Sequence, residues 1–234
     1  MDAATKATLE GISTATITTV LLKKGLRNVW IRGAFAKQPD QTRVVGPAFT
    51  LRFVPAREDL ATPASWGSPI STRAAIEAMA EGDIAVADAL GVTDAGIFGD
   101  ILCARMAYRK VGALITDGVV RDMEGVLTTG LALWCAGAAA PASVAGLTFV
   151  AWNQPVGCGG VAIFPGDIIS ADGDGAVVIP KAMLAEVVEQ AVEQERHEGW
   201  VIDQVRKGAP LPGLYPANEE TRARYEAWKK TQGA

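Results

Sequence analysis

The segment VAIFPGDIISADGDGAVVIP (residues 161–180) does most to limit the folds open to this chain. Its apolar runs are punctuated by Pro165-Gly166-Asp167 and by Asp172-Gly173-Asp174-Gly175, residue types that reverse the backbone. Two or three short strands joined by such turns pair antiparallel. Upstream the pattern is different, because short strands alternate there with helices, as in a sheet built with crossovers. DIAVADAL is a short strand, and the preceding STRAAIEAMAEG has a Ser/Thr start, a helical middle and Gly82 at its end. The two patterns together point to an α/β fold whose sheet is not purely parallel.

The remaining elements follow from periodicity and punctuation. Residues 7–25 read as one helix, stopping at Gly25 after Lys23-Lys24. Arg43 to Pro55 is a strand broken at Gly46-Pro47. Gly99-Asp100 starts a helix running to Lys110, GALITDG is a buried strand ending at Gly118, and Asp122 opens a further helix. LALWCAG and LTFVAWNQPV are strands. From Lys181 to Lys207, the apolar residues Met183, Leu184, Val187, Val188 and Ala191 recur at helical spacing. The body is therefore expected over residues 1–208. Residues 209–234 form a Pro/Gly linker and a polar helix from Asn218, an arm that packs on the body or on a neighbouring subunit.

Several activities lack material. A net charge of −4 and 6% aromatic residues supply neither a basic face nor a stacking platform for nucleic acid. Cys103, Cys135 and Cys158 are odd in number and form no C-x-x-C pair, which suits a reducing cytoplasm. No stretch reaches the length of a membrane span, and ISTATITTVLL lacks the basic flank of a signal peptide. The single histidine, His197, lies in a charged helix and reads as a solvated residue, so triads and multi-histidine metal sites are out of reach. There is no phosphate-binding P-loop. GCGG at 157–160 reads as a tight turn, with Cys158 lacking a partner base.

Carboxylates, arginine and helix N-termini are what remain. FGDILCARMAYRKVGALITDGVVRD (residues 98–122) is mostly apolar, yet carries Asp100 at one end and Arg121-Asp122 at the other. Spacing alone allows two readings: three local caps, or three groups converging on a ligand. The second suits a 2-oxo acid held with a hard divalent cation. Mg²⁺ takes oxygen ligands and often needs only one or two protein carboxylates, while arginine grips a carboxylate or an enolate oxygen. Backbone N–H groups after Gly99 would point at the same anion. A Schiff-base route would need a desolvated lysine; the only one in the segment, Lys110, reads as a helix C-terminal residue.

The same segment resembles the family that contains the regulator of ribonuclease activity A and the 4-hydroxy-4-methyl-2-oxoglutarate aldolases. Its members share an Asp, twenty intervening residues, then Arg-Asp, a count that Asp100 and Arg121-Asp122 satisfy. GPAFTL, GDIAVADALG, GALITDGVVRD and FPGDIISADGDGAVVIP resemble the family's further signatures in order, over roughly residues 8–208. The resemblance implies a compact β/β/α swivelling-domain fold, similar to phosphohistidine domains, in homotrimers or homohexamers with sites between subunits. It implies Mg²⁺ (or Mn²⁺) on Asp122, keto-acid binding and enolate stabilisation by Arg121, and a water oriented by Asp100. The substrate carboxylate would meet backbone amides at Gly99, Ile101 and Leu102. A cross-subunit carboxylate is implied on the long helix, with Glu198 the nearest match, Glu195 close by, and a solvated glutamate the plain alternative. Asp172 and Asp174 read as turn residues. The implied activity is metal-dependent cleavage of a 4-hydroxy-2-oxo acid to pyruvate and a second carbonyl compound, with oxaloacetate decarboxylation open to the same enolate. The alternatives are a ribonuclease-binding regulator without catalysis and a 2-oxo-3-deoxy sugar acid dehydratase.

Overall fold

The structure is a computed structural model that describes residues 1–38 and 41–232. In chain order its helices and strands are α1 (Ala3–Glu10), α2 (Thr14–Lys23), β1 (Phe35–Ala36), β2 (Val44–Pro55), α3 (Thr72–Ala78), β3 (Ile84–Asp88), α4 (Asp100–Tyr108), β4 (Ala113–Thr116) and β5 (Val119–Val120). They continue with α5 (Met123–Thr128), β6 (Ala132–Cys135), β7 (Gly137–Ala138), β8 (Leu147–Trp152), β9 (Ile168–Asp172), β10 (Gly175–Ile179), α6 (Leu184–Arg206) and α7 (Glu219–Thr231).

One mixed sheet runs β1-β6-β4-β3-β2-β9-β10, with β8 also pairing β2. Its centre, β3 between β2 and β4, is parallel, and every residue of β3 and β4 is buried. That burial explains their near-continuous apolar sequences. The 161–180 segment supplies the antiparallel part: β9 and β10 form a hairpin in which Asp172 faces Gly175. The architecture is thus α/β with a mixed sheet. Apolar side chains fill both of its faces, Met106, Leu114 and Leu133 on the side of α3, α4 and α5, and Ile84, Ile115 and Trp134 on the other.

β2 is one twelve-residue strand, not the broken strand expected at Gly46-Pro47. It pairs with β9 over Val44–Pro47 and with β3 from Ala48, so the proline stands where one partner hands over to the next. A Cβ at Gly46 would run into the carbonyl oxygen of Gly82. Glycine is needed there for a close approach, not for a break.

The single helix expected over residues 7–25 is two. Gly11 closes α1, and Ser13 caps α2 by accepting from Thr16 N at 3.1 Å. The second start is reinforced from across the fold: the Asp172 carboxylate accepts from Thr14 N at 2.9 Å and from Thr14 Oγ1 at 2.7 Å. Asp172 is thus a turn residue that also clamps a distant helix.

After α6, the chain doubles back and α7, capped by Asn218, packs on it through Trp200, Val201, Leu214 and Tyr225. Tyr225 donates to Glu193 at 3.0 Å, and Lys229 reaches the same carboxylate at 2.9 Å. His197 is not freely solvated as expected: it is half-buried, edge-on to the Tyr225 ring at 4.8 Å, because α7 covers that part of α6. No helix among the described residues is long and apolar enough to cross a membrane.

Candidate active site

The twenty residues between Asp100 and Arg121 amount to one helix, one turn and one buried strand. α4 leads away from Gly99, β4 returns through the sheet, and Gly118 turns the chain into β5. β5 then lies beside the segment preceding α4: Ile97 N donates to Val119 O at 3.0 Å, and Arg121 N donates to Phe98 O at 2.9 Å. The two ends of the motif are therefore stitched together by backbone hydrogen bonds.

Three glycines make room for three side chains. A Cβ on Gly96 would sit 2.7 Å from Arg121 N and 2.8 Å from Arg121 Cβ. A Cβ on Gly99 would sit 2.8 Å from Asp122 Oδ2, and one on Gly125 would sit 2.9 Å from both Cβ and Oδ2 of Asp100. Asp122 has φ 54° and ψ 41°, a left-handed backbone that a non-glycine residue adopts at a cost of roughly 1–3 kcal/mol. It occupies the N-cap position of α5, yet its side chain makes no cap hydrogen bond. Its Oδ2 accepts from Arg121 Nε at 3.1 Å, and the two side chains are 48% and 38% exposed. An ion pair that open to water adds about 0–1 kcal/mol, so stability does not account for a strained aspartate.

These residues share one cleft of about 260 Å³, lined by Gly99, Asp100, Ile101, Leu102, Arg121 and Asp122, with Trp66, Thr72, Arg73, Gly96, Ile97, Ala142 and Ser143 completing it. Asp100, the first residue of α4, accepts from Ile101 N at 2.7 Å. The Ile101 amide is thus engaged by Asp100. Leu102 N has no acceptor among the described residues. Glu198 is not brought to this cleft within the chain. It lies on α6, accepting from Gln194 Nε2 at 2.7 Å and from Thr16 Oγ1 at 3.3 Å; Glu195 accepts from Thr16 Oγ1 at 2.5 Å. Lys110 follows α4, exposed, with its ammonium 3.1 Å from Glu81, so it is not desolvated.

A second pair of carboxylates serves the scaffold. Asp117 accepts from Ala89 N at 2.8 Å and from Gly91 N and Gly159 N at 3.0 Å each, while Asp88 accepts from Gly157 N at 2.8 Å. Burial pushes the Asp117 carboxyl above its ordinary range, against the pull of these amides. Together they pin the 157–160 turn across the ends of β3 and β4. Cys158 within that turn is fully buried, its thiol raised well above the usual value by desolvation, and so is a poor nucleophile.

Gly96, Gly125 and Arg73 were not singled out from the sequence. The first two were legible only as glycines flanking the motif, and Arg73 as a cation in the opening turn of a helix.

The family described as RraA-like, Aldolase/RraA, matches residues 14–178. A protein of Halalkalibacterium halodurans, named provisionally as a 4-hydroxy-4-methyl-2-oxoglutarate aldolase, is 32% identical over 157 residues, covering 67% of this chain and 69% of that protein. The solved structure of Streptomyces coelicolor RraAS2, described as an unusual member of the RNase ES inhibitor RraA protein family, is 34% identical. It superimposes with a TM-score of 0.77 over 86% of this chain and 96% of that one. An uncharacterized protein from Pseudomonas syringae superimposes with a TM-score of 0.80 at 25% identity, covering 93% of this chain and 95% of that one. The chain belongs to the RraA-like family.

Proposed function

We propose that this protein is a carbon–carbon lyase that cleaves a 4-hydroxy-2-oxo acid to pyruvate and a second carbonyl compound, with a divalent cation. One observation carries the reading: a strained, half-exposed Asp122, its partner Arg121 and Asp100 meet at the start of α4, each in space left by a glycine. The donor set fits Mg²⁺ or Mn²⁺. Asp122 and Asp100 offer hard oxygens at a solvent-open cleft, and Mg²⁺ needs only one or two protein carboxylates because it keeps several waters. Asp122 would hold the ion, which when bound supplies Lewis-acid polarisation of the keto oxygen.

The chain's own groups account for the rest. Leu102 N–H and the Arg121 guanidinium take the substrate carboxylate and the oxygen on which the enolate charge collects. Gly99 lets that end approach the backbone closely. Through a water, Asp100 removes the proton of the 4-hydroxyl. The C3–C4 bond breaks, its electron pair forms the enolate, and a proton returns to C3. With oxaloacetate, carbon dioxide leaves in place of the carbonyl fragment. In a trimer or hexamer, Glu198, which on its own chain accepts from Gln194 and Thr16, would serve the cleft of a neighbouring copy.

A second reading rests on the 34% identity to a structure described within an RNase ES inhibitor family: binding of a ribonuclease without catalysis. Wild type and Arg121→Ala should be assayed for pyruvate release from a panel of 4-hydroxy-2-oxo acids and oxaloacetate, before and after EDTA. The lyase reading expects turnover that falls by about 10²–10³ in the variant and returns with Mg²⁺ after chelation. A wild type that cleaves nothing yet binds an RNase E-type enzyme tightly would replace it with the regulator.

A further inference from the structure

Besides Arg121, one other guanidinium lines the cleft among the described residues, that of Arg73. It stands in the first turn of α3, whose N-cap is Ser71. A cation there faces the positive end of the helix dipole, so the helix gains nothing from it. The other arginines nearby are paired: Arg105 and Arg109 with Glu77, and Arg121 with Asp122. Arg73 has no carboxylate within 4.0 Å and donates no hydrogen bond among the described residues. What holds it is Trp66, whose ring centroid lies 5.0 Å from the guanidinium carbon. Packing a guanidinium on an indole leaves its in-plane N–H groups free, and that fork matches a carboxylate in both shape and charge.

We infer that Arg73 is a specificity-determining residue that grips a second carboxylate, the one carried by the carbonyl fragment released from C4. The inference rests on the lyase reading above and adds its distal recognition: Arg121 and Leu102 take the pyruvate end, and Arg73 takes the other. A competing home for that fragment adjoins the cleft. A chamber of about 380 Å³ shares Trp66, Thr72 and Ser143 with it and has no charged residue in its lining. Its Ser65, Ser68 and Ser71 hydroxyls are engaged by Thr62 O, Ile70 N and Ala74 N. That chamber suits an apolar substituent, whereas the unpaired cation beside the reacting groups suits a charged one.

The test uses two matched pairs of compounds. 4-Hydroxy-2-oxoglutarate and 4-hydroxy-2-oxopentanoate differ only in a carboxylate against a methyl at C4. 2-Oxoglutarate and 2-oxopentanoate differ in the same way and lack the hydroxyl needed for cleavage. Wild type should prefer the dicarboxylate of each pair on the order of 10- to 100-fold, in kcat/KM for the first and in calorimetric affinity for the second. Arg73→Ala should bring both ratios close to one, mainly through KM. Arg73→Lys should restore only part, because an ammonium lacks the planar fork. If the affinity ratio behaves so while neither substrate is cleaved, Arg73 keeps its role and the lyase reading falls. If cleavage occurs and Arg73→Ala leaves the ratios unchanged, the inference falls and the lyase stands. A wild type preferring the methyl compounds also overturns the inference, placing the fragment in the apolar chamber.

Discussion

Gly99→Ala separates the placement of the reacting groups from the stability of the fold. Gly99 has φ −112° and ψ −176°, an extended backbone open to any residue, so alanine brings no conformational strain. Its methyl group, however, would sit 2.8 Å from Asp122 Oδ2 and 3.3 Å from Arg121 Cγ, where ordinary contact begins at 3.4 Å. The carboxylate must retreat by about 0.6 Å, and the guanidinium stem must shift with it. Since the Asp122 side chain is 48% exposed, it can swing into solvent. The stability cost should therefore stay below about 1 kcal/mol, or under about 4 °C in Tm for a chain of this size. Catalysis is less forgiving, because misplacing reacting groups on the ångström scale costs on the order of 10²-fold in rate.

Gly96→Ala is the contrasting case. Its methyl meets Arg121 N at 2.7 Å and the Val120 carbonyl carbon at 2.8 Å, both backbone atoms that cannot swing away. Here about 1–3 kcal/mol of stability should be lost along with activity. Calorimetric unfolding and pyruvate release, measured on both variants, check the pair. Gly99→Ala with wild-type kcat/KM would refute the claim that Asp122 must occupy the space its glycine leaves. A Tm loss in Gly99→Ala equal to that in Gly96→Ala would refute the division between mobile and fixed neighbours.

Two further outcomes concern the scaffold. Asp172→Ala removes a 13%-exposed carboxylate that serves Thr14 N and Thr14 Oγ1 and lies 3.4 Å from Arg43 Nε, which has no hydrogen-bond partner among the described residues. Stranding these donors should cost about 3 kcal/mol and lower Tm by about 6–12 °C; an unchanged Tm would show that α2 starts without its remote clamp. Burial, then the hydrogen bond to Glu193, pushes the Tyr225 phenol up to about 12 from 10.0. A raised value means the neutral phenol's contribution to docking α7 is complete below pH 10 and is lost as pH rises through about 12. The phenolate absorbance of wild type minus that of Tyr225→Phe should titrate near pH 12, and a midpoint near 10 would mean the arm is undocked.

What was legible in the sequence is what is decided locally. β3, β4 and α4 could be read because an apolar run, a cap or a helical period is complete within a few residues. Their lengths also explain why twenty residues separate Asp100 from Arg121: a helix out and a strand back return the chain to its starting point. The misreadings occur where a distant group decides. α2 starts at Thr14 partly because Asp172, on the far hairpin, receives its N–H, so the break after Gly11 looked like continuous helix. Gly46 is required by a carbonyl at Gly82, and locally it looked like a strand breaker. The site follows the same logic. Gly96, Gly99 and Gly125 are glycines because of Arg121, Asp122 and Asp100 respectively, contacts that exist only after β5 has folded back beside the start of α4. Arg73 carries no local signature, because an arginine in the first turn of a helix is ordinary in sequence even though its charge opposes the helix dipole. Asp122, left-handed at the N-cap of α5, is placed against its local preference by contacts beyond its own element. Its carboxylate stands beside Arg121 in the space Gly99 leaves, a placement decided when β5 folds back beside the start of α4 and by nothing within α5 itself.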